Sequence, residues 1–246
     1  MLCMPASRAA SAAAQHKRWY NVPNRVRSGR GREVSAAEEL EQIAAEVRGC
    51  TACKLHHGTI KAVPGEGPAD AKIMFIGEAP GFNEDRQGRP FVGAAGQFLS
   101  ELLALAGLRR QDVFIANVVK HRPPNNRDPE PDEIAACGLF LERQIAAIDP
   151  PVIVTLGRFS MAKWFPGERI SRIHGQPRWV GKRLIVPMMH PAAALHQPQN
   201  RPLIEADFER LPAIVAEAER ELAKPAPALS PPDEPDEPDL QQLSMF

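Results

Sequence analysis

The sequence predicts an α/β protein, a three-layer sandwich in which a central four-stranded parallel sheet is flanked by helices. Three features predict it: four short apolar runs, helical patterns between them, and polar segments at the ends of the runs. Continuous apolar runs are typical of strands buried on both faces of a parallel sheet. Strands that alternate with helices are joined by right-handed crossovers. Ligands of such sheets bind beyond the carboxyl ends of the strands.

The elements follow in a regular order. Strands are predicted at residues 72–77, 113–119, 152–156 and 184–188. Apolar residues recur with helical spacing in residues 36–47, 94–106, 131–148, 159–165 and 205–222. The first helix precedes the sheet and the last follows it, so the four strands form one continuous unit.

Composition divides the chain into a domain with two tails. Residues 1–33 form a basic arm in which positions 1–32 hold seven Lys and Arg and no acidic residue; a transit peptide, a misassigned start or a flexible arm explains it equally well. Residues 224–246 are acidic and rich in proline, and we expect both tails to be disordered. The domain covers residues 34–223.

Charge and hydropathy restrict the possible functions. Residues 33–224 hold 23 basic and 25 acidic residues, so net charge gives no indication of nucleic-acid binding and any basic surface must be local. No apolar run is long enough to span a bilayer, which predicts a soluble protein. We expect a monomer.

A four-ligand metal spacing is the most specific chemical feature. Cys50 and Cys53 form a Cys-x-x-Cys pair, and His121 and Cys137 follow with fifteen residues between them. Such a set binds zinc as Cys₃His or holds an iron–sulfur cluster. Two unrelated cysteines beside a structural pair are the alternative.

Polar groups gather at three of the predicted strand ends. The first strand leads into the Gly77–Gly81 loop, where Glu78 and then Phe91 can face a cavity while glycines let backbone N–H groups approach a ligand. The second strand ends in Asn117, and the fourth ends in His190. Each motif alone is compatible with an ordinary turn, but three at one edge of a sheet indicate a binding site.

These motifs resemble the family-4 uracil-DNA glycosylases. The resemblance rests on GEAPGFNEDRQGRPFVG, NVVKHRPPNNRDP and MMHPAAAL, together with Cys50, Cys53 and Cys137, in the same order over residues 50–211. It implies removal of uracil from DNA by cleavage of the N-glycosidic bond, in the cytoplasm of a bacterium at the nucleoid. It also implies a structural 4Fe-4S cluster.

One ligand departs from the family pattern. The usual KCRPP appears here as Lys120-His-Arg-Pro-Pro124. Because histidine ligates iron in Rieske centres, we expect Cys₃His ligation through His121. The alternatives are Cys3, His56 or His57 as the fourth ligand, or a three-cysteine site. A related group that traps uracil covalently carries an inserted basic loop, which is absent here.

The predicted site residues take distinct roles. Phe91 offers a face on which an extruded pyrimidine stacks, and the Asn117 amide matches the edge of uracil and not that of cytosine. His190, with backbone N–H groups from Gly77, Ala79 and Gly81, would stabilise the uracil anion. The best-known uracil glycosylases place an aspartate at the position of Ala79, so Glu78 or Glu84 would orient the water, with Glu78 preferred.

DNA contacts are expected beside the pocket. Asn126 and Arg127 are expected to line the DNA-side loop, and the segment with Gln197 and Arg201 to border the minor groove. Two other classes stay open at this stage. One is a protein that binds or covalently traps uracil without turnover, and the other is a zinc-stabilised hydrolase of a nucleoside-like substrate.

The C-terminal peptide resembles the short sequences that bind the bacterial sliding clamp. Gln242 would make a polar anchor, while Leu243 and Phe246 would fill adjoining apolar pockets. A frayed tail is the alternative. The acidic segment before it would let the peptide reach a clamp without constraining the domain.

Overall fold

The computed structural model describes residues 34–224 and contains a five-stranded sheet between two layers of helices. The strands are β1 (Ile73–Gly77), β2 (Phe114–Asn117), β3 (Val152–Leu156), β4 (Arg178–Val180) and β5 (Arg183–Met188), and their order is β2-β1-β3-β5-β4. The helices are α1 (Ala36–Arg48), α2 (Phe82–Gln87), α3 (Ala94–Leu105), α4 (Pro131–Ile148), α5 (Arg158–Met161), α6 (Ile170–Ile173), α7 (Ala192–His196) and α8 (Arg201–Leu222). None of these described helices is long and apolar enough to cross a membrane.

Four of the five strands are parallel to one another, as the sequence predicts. β1 pairs in parallel with β2 and β3, and β3 pairs in parallel with β5. Alternate residues of β1 face opposite sides, because Ile73 and Phe75 join one hydrophobic core while Met74 and Ile76 join the other. Helices α3 and α8 pack together on the first side, and α1 and α4 on the second. The three-layer sandwich is therefore confirmed.

The fifth strand was missed by the sequence analysis. β4 pairs antiparallel with β5 through a hairpin whose turn includes Gly181 at φ 60°. Only three residues long and partly exposed, β4 lacks the apolar run that marks the other strands. It covers one edge of the sheet and does not reach the site.

Two helices also differ from expectation. The pattern in residues 159–165 predicts a two-turn helix, but α5 ends at Met161 and a turn follows. Pro166 has no N–H to donate to Ala162, so the helix cannot continue through it. Residues 82–87, expected within a loop, form α2, which ends at Gly88 with φ 73°. Helices α1 and α4 begin as expected, each with a glutamate that returns to the cap residue's N–H; Ser35 and Glu38 do this in α1.

Candidate active site

A cavity of about 690 Å³ opens at the carboxyl ends of the parallel strands. The loops after β1, β2, β3 and β5 all contribute to it. Nine of the residues that the sequence predicts for the site line it: Glu78, Ala79, Gly81, Glu84, Phe91, Asn117, Asn126, Arg127 and His190. The strand ends therefore meet at one place, as the parallel topology requires.

Phe91 occupies the cavity wall in a constrained conformation. Its φ is 51°, which is unusual for a bulky residue, and its side chain is 6% exposed. Its ring stacks on His190 with centroids 5.5 Å apart and planes 28° apart. A Cβ at Gly96 would collide with the Phe91 backbone, so Gly96 makes this conformation possible.

Asn117 lies beside Phe91 and is 2% exposed. It is paired in register with Gly77, where an added Cβ would meet both the Asn117 Oδ1 atom and the Phe91 ring. Gly77 does not line the cavity, but its missing side chain leaves room for both groups. The Oδ1 atom is buried and has no hydrogen-bond partner within residues 34–224. A buried acceptor without a hydrogen-bond partner is energetically unfavourable, so this atom is a candidate to accept a hydrogen bond from a ligand.

The backbone of Asn117 is fixed from behind by a buried lysine. The Nζ of Lys120 donates to the Asn117 carbonyl oxygen at 2.9 Å and to the Gln144 Oε1 atom at 2.7 Å. The Lys120 amide in turn donates to the Cys137 sulfur at 3.2 Å. The end of β2 is thereby connected to one of the predicted metal ligands.

His190 is held in one protonation state. The Ala192 amide donates to the His190 Nδ1 atom at 3.1 Å, so the proton of the neutral ring must lie on Nε2. Burial lowers the pKa of His190 to about 4, against a smaller opposing effect of Glu84. Near neutral pH, His190 is therefore an uncharged hydrogen-bond donor.

Glu78 is a partly buried carboxyl group in the cavity wall. Burial raises the pKa of Glu78 to about 7; the negative charge of Asp128 acts in the same direction, and Arg158 opposes it. Asp128 and Arg158 form an ion pair at the cavity wall. Glu78 therefore changes charge in the neutral pH range, which is suitable for a group that handles a proton or water.

Glu84 does not fit the catalytic role that the sequence suggests as an alternative to Glu78. Its Oε1 atom accepts from the amides of Val92 at 2.8 Å and Gly93 at 2.7 Å. Its Oε2 atom accepts from the Gly81 amide at 3.1 Å. Both oxygens are thus occupied by backbone, and Glu84 fastens the segment that carries Phe91 to the loop after β1.

Arg110 holds the same segment from the other side and was missed by the sequence analysis. Its guanidinium donates to the carbonyl oxygens of Pro90 and of Phe91, the latter at 3.0 Å, and to the Glu66 Oε1 atom at 2.8 Å. Pro90–Gly93 is therefore held by Arg110 through its carbonyls and by Glu84 through its amides. No local motif reveals Arg110, because its partners lie about twenty or more residues away.

Two of the three predicted DNA-binding residues have guanidinium groups with acidic partners. Arg127 makes a bidentate pair with the buried Glu133, at 2.9 and 2.7 Å. Arg201 pairs with Glu205 at 2.8 Å and with Glu101 at 3.0 Å, outside the cavity lining. These pairs offset part of the charge that would attract phosphate, and DNA contact by Arg127 and Arg201 stays a prediction.

The third predicted DNA-binding residue and the DNA-side loop lie closer to the cavity mouth. Gln197 is exposed and directly follows His196, which lines the cavity. Asn126 lines the cavity, and its Oδ1 atom accepts from Arg122 Nε at 2.7 Å. Leu195, on α7, directly precedes His196, is 50% exposed and was not singled out from the sequence. Its signal is a single large apolar residue in a segment of small and polar residues.

Three of the predicted metal ligands, Cys50, Cys53 and Cys137, lie near one another. Burial raises the pKa of the Cys137 thiol, and Cys53 and Cys50 lie near enough to raise it further, while Lys120 lowers it. All three are free thiols. His121 is 4% exposed, and its Nδ1 atom is buried without a partner in the described part of the chain.

The donor set, three thiols and an imidazole nitrogen without a partner, has the chemistry of a zinc or iron–sulfur site. No group of three or more His, Cys, Asp or Glu within residues 34–224 is arranged to hold one metal ion, so the ligand set stays a prediction. Among the alternative ligands, the His56 Nδ1 atom already lies 2.7 Å from the Cys53 carbonyl oxygen, and Cys3 is outside the described residues.

Comparisons with known proteins show the family of the chain. The profile of the Uracil DNA glycosylase superfamily matches residues 64–212. A type-4 uracil-DNA glycosylase of Sulfurisphaera tokodaii is 51% identical over 184 residues, which cover 71% of this chain and 84% of that protein. Type-4 enzymes of Archaeoglobus fulgidus and Thermotoga maritima are 48% and 46% identical and are covered over 92% and 96% of their lengths.

The chain therefore belongs to the uracil-DNA glycosylase superfamily. Within that superfamily it is a member of family 4, because similarity to the type-4 enzymes extends over most of the chain. The family suggested by the loop motifs is confirmed.

Proposed function

We propose that this protein is a repair glycosylase that extrudes uracil from DNA and hydrolyses its N-glycosidic bond, leaving an abasic site. The cavity geometry carries the proposal: a stacking ring, an unpaired amide oxygen and a neutral imidazole converge at one strand edge. The type-4 relatives support the substrate and the reaction type. A base within a duplex cannot reach such a cavity, so it must leave the stack.

Asn117 is the group that we propose reads the base. Its buried Oδ1 atom would accept from the ring N–H of uracil, and its amide group would donate to the 4-carbonyl oxygen. Cytosine presents an acceptor and an amino group at the same positions. The Asn117 oxygen would then face an acceptor and its amide group a donor, so neither hydrogen bond could form. Phe91 would stack on the pyrimidine without regard to its identity.

His190 would stabilise the leaving group. Cleavage places negative charge on uracil, and the Nε2–H donor of a neutral imidazole fits the 2-carbonyl oxygen on which that charge accumulates. Because the ring is already fixed by Ala192, little reorganisation is needed as charge develops. The backbone amide of Ala79 lies in the same cavity wall and would contribute a further donor, whereas the Gly81 amide already donates to Glu84.

Glu78 would orient the attacking water or offset the positive charge of the sugar. It lies immediately after β1 and faces the cavity, whereas both oxygens of Glu84 are occupied. Its ionised form is the one that either role requires. With a pKa of about 7, this form is populated only in neutral or alkaline solution.

The segment after His190 would enter the DNA. Leu195 is half-exposed next to His196 at the cavity mouth, and an apolar side chain inserted between base steps replaces an extruded nucleotide. Gln197 would border the groove beside it. Leu195→Ala should slow uracil excision from duplex DNA more than from single strands; an equal effect on both would exclude the insertion.

A 4Fe-4S cluster held by Cys50, Cys53, His121 and Cys137 is the cofactor that we propose. The buried, unpartnered Nδ1 atom of His121 and the adjacent free thiols support this ligand set. When bound, the cluster would supply structural cross-links and no electron transfer in the reaction. Through the Lys120 contacts, the same residues would steady the end of β2 that carries Asn117.

Binding to a sliding clamp through Gln242, Leu243 and Phe246 is also part of this proposal, although these residues lie outside the described range. A short peptide beyond an extended segment would raise the concentration of the enzyme at DNA that carries a clamp. A synthetic peptide of residues 238–246 should bind the clamp, and Leu243→Ala with Phe246→Ala should abolish binding. Clamp binding that survives both changes would exclude this peptide.

The direct test of activity uses an oligonucleotide with one uracil. Incubation followed by alkali should break the strand at the uracil position, with undiminished yield in a chelator of divalent metals. An oligonucleotide with cytosine or thymine at that position is the matched control. No breakage of the uracil strand would refute the proposed function.

A further inference from the structure

An exposed aromatic residue lies at the cavity mouth close to two arginines. Phe82 begins α2, lines the cavity and is 49% exposed, which is unusual for a phenylalanine next to a site. The guanidinium of Arg86 lies 5.6 Å from the centre of its ring, and that of Arg122 lies 5.2 Å from it. These three residues, from the loop after β1 and the loop after β2, are called the Phe82 surface below.

The positive charge of the Phe82 surface is not neutralised by the protein. Neither Arg86 nor Arg122 forms an ion pair with a carboxylate of residues 34–224, and Arg122 is bonded to the uncharged amide of Asn126. Arg127 and Arg158, at the same cavity, both have acidic partners. Among the described residues that line the cavity, the exposed Phe82 ring is therefore the one that lies beside two arginines without an acidic partner.

This combination has the chemistry of a single-strand binding surface. Proteins that hold single-stranded nucleic acid stack bases on exposed aromatic rings and neutralise the flanking phosphates with basic side chains. Cation–π contacts with both guanidinium groups also help to hold the ring in place when the DNA is absent. The surface is continuous with the uracil cavity through Phe82 itself, so it lies within reach of a strand whose uracil is in the cavity.

We propose that the Phe82 surface binds the nucleotide adjacent to the extruded uracil, with its base on Phe82 and its phosphates on Arg86 and Arg122. The proposal rests on the glycosylase function proposed above and specifies its DNA contact. In duplex DNA the adjacent base stays stacked and paired, so Phe82 acts mainly on single strands. The Phe82 surface therefore contributes to the affinity for single-stranded substrate, separately from Leu195.

The test compares Phe82→Ala, Phe82→Trp and Arg86→Gln with the wild-type protein on one uracil oligonucleotide, single-stranded and duplex. Phe82→Ala should weaken single-strand binding and raise KM by roughly 5- to 150-fold, since stacking of one base on an aromatic ring has that effect. Phe82→Trp should retain or improve binding. Arg86→Gln should reduce the slope of log Kd against log salt by roughly 0.7, the value for one phosphate contact on a single strand.

Arg220→Gln, at the far end of α8, is the matched control for charge and should leave the salt slope unchanged. Equal single-strand binding by Phe82→Ala and wild type would overturn the proposal, as would a loss that falls on kcat at saturating DNA. Equilibrium binding of a uracil-free single strand separates the two proposals. If the wild-type protein excised no uracil, this measurement would still show whether Phe82 and Arg86 bind DNA.

Discussion

Glu84→Gln distinguishes a loop-fastening carboxylate from a catalytic one. The carboxylate accepts three backbone N–H bonds, from Gly81 at 3.1 Å, Val92 at 2.8 Å and Gly93 at 2.7 Å. A glutamine can keep its carbonyl oxygen toward Val92 and Gly93, but its amino group then faces the Gly81 amide. One charge-assisted bond is lost, which costs about 1.5–3 kcal/mol. In a domain of this size that corresponds to a fall in Tm of roughly 3–12 °C.

The assay combines thermal unfolding with steady-state excision of uracil. We expect Glu84→Gln to lower Tm and to raise KM, because the segment with Phe91 loses one of its attachments. The same substitution should leave the shape of the pH–rate profile unchanged. Gln87→Ala, on the exposed side of α2, is the control and should change neither quantity. An unchanged Tm with a large loss of kcat would refute this reasoning and return Glu84 to a catalytic role.

Three further predictions address the catalytic and metal residues. His190→Ala should lower kcat roughly 10²- to 10³-fold with little change in the Kd for DNA; equal losses would indicate a structural role. Glu78 must be ionised to act, so kcat/KM should rise with pH through about 7. The raised pKa of Glu78 means that its protonated form stabilises the fold, fully at low pH, and that this stabilisation is lost as pH rises through 7. Glu78→Gln should therefore raise Tm at pH 8 and hardly at pH 5. His121→Cys should keep the iron content and visible absorbance, whereas His121→Ala should lose iron and solubility; full iron in His121→Ala would show that another residue ligates.

The sequence predicts the parts of this fold whose signal is local. The four parallel strands are continuous apolar runs, and α4 is bounded by Pro131 at its start and Asp149 with φ 49° at its end. β4 escapes because three partly exposed residues carry no such signal. Its pairing depends on β5, which is a neighbour in space and supplies the missing hydrogen-bond partners.

The candidate site shows the same division. Phe91, Asn117 and His190 are identifiable because each stands in a motif beside a strand end. The roles of Glu84 and Arg127 could not be predicted, because the sequence shows each charged residue but not the group that it bonds in the fold. The contacts of Arg110 and those of the Phe82 surface join separate loops. No motif or residue spacing in the sequence predicts them.

Turnover distinguishes a uracil-DNA glycosylase from a protein that only binds or traps uracil. The measurement is the amount of free uracil released per protein molecule from single-stranded uracil DNA, with denaturing electrophoresis of the same samples for protein–DNA adducts. We predict many uracils released per protein, abasic DNA in equal amount and no adduct that survives denaturation. A stoichiometric adduct, or binding of uracil DNA without release of the base, would contradict the account and identify a protein that recognises or traps uracil.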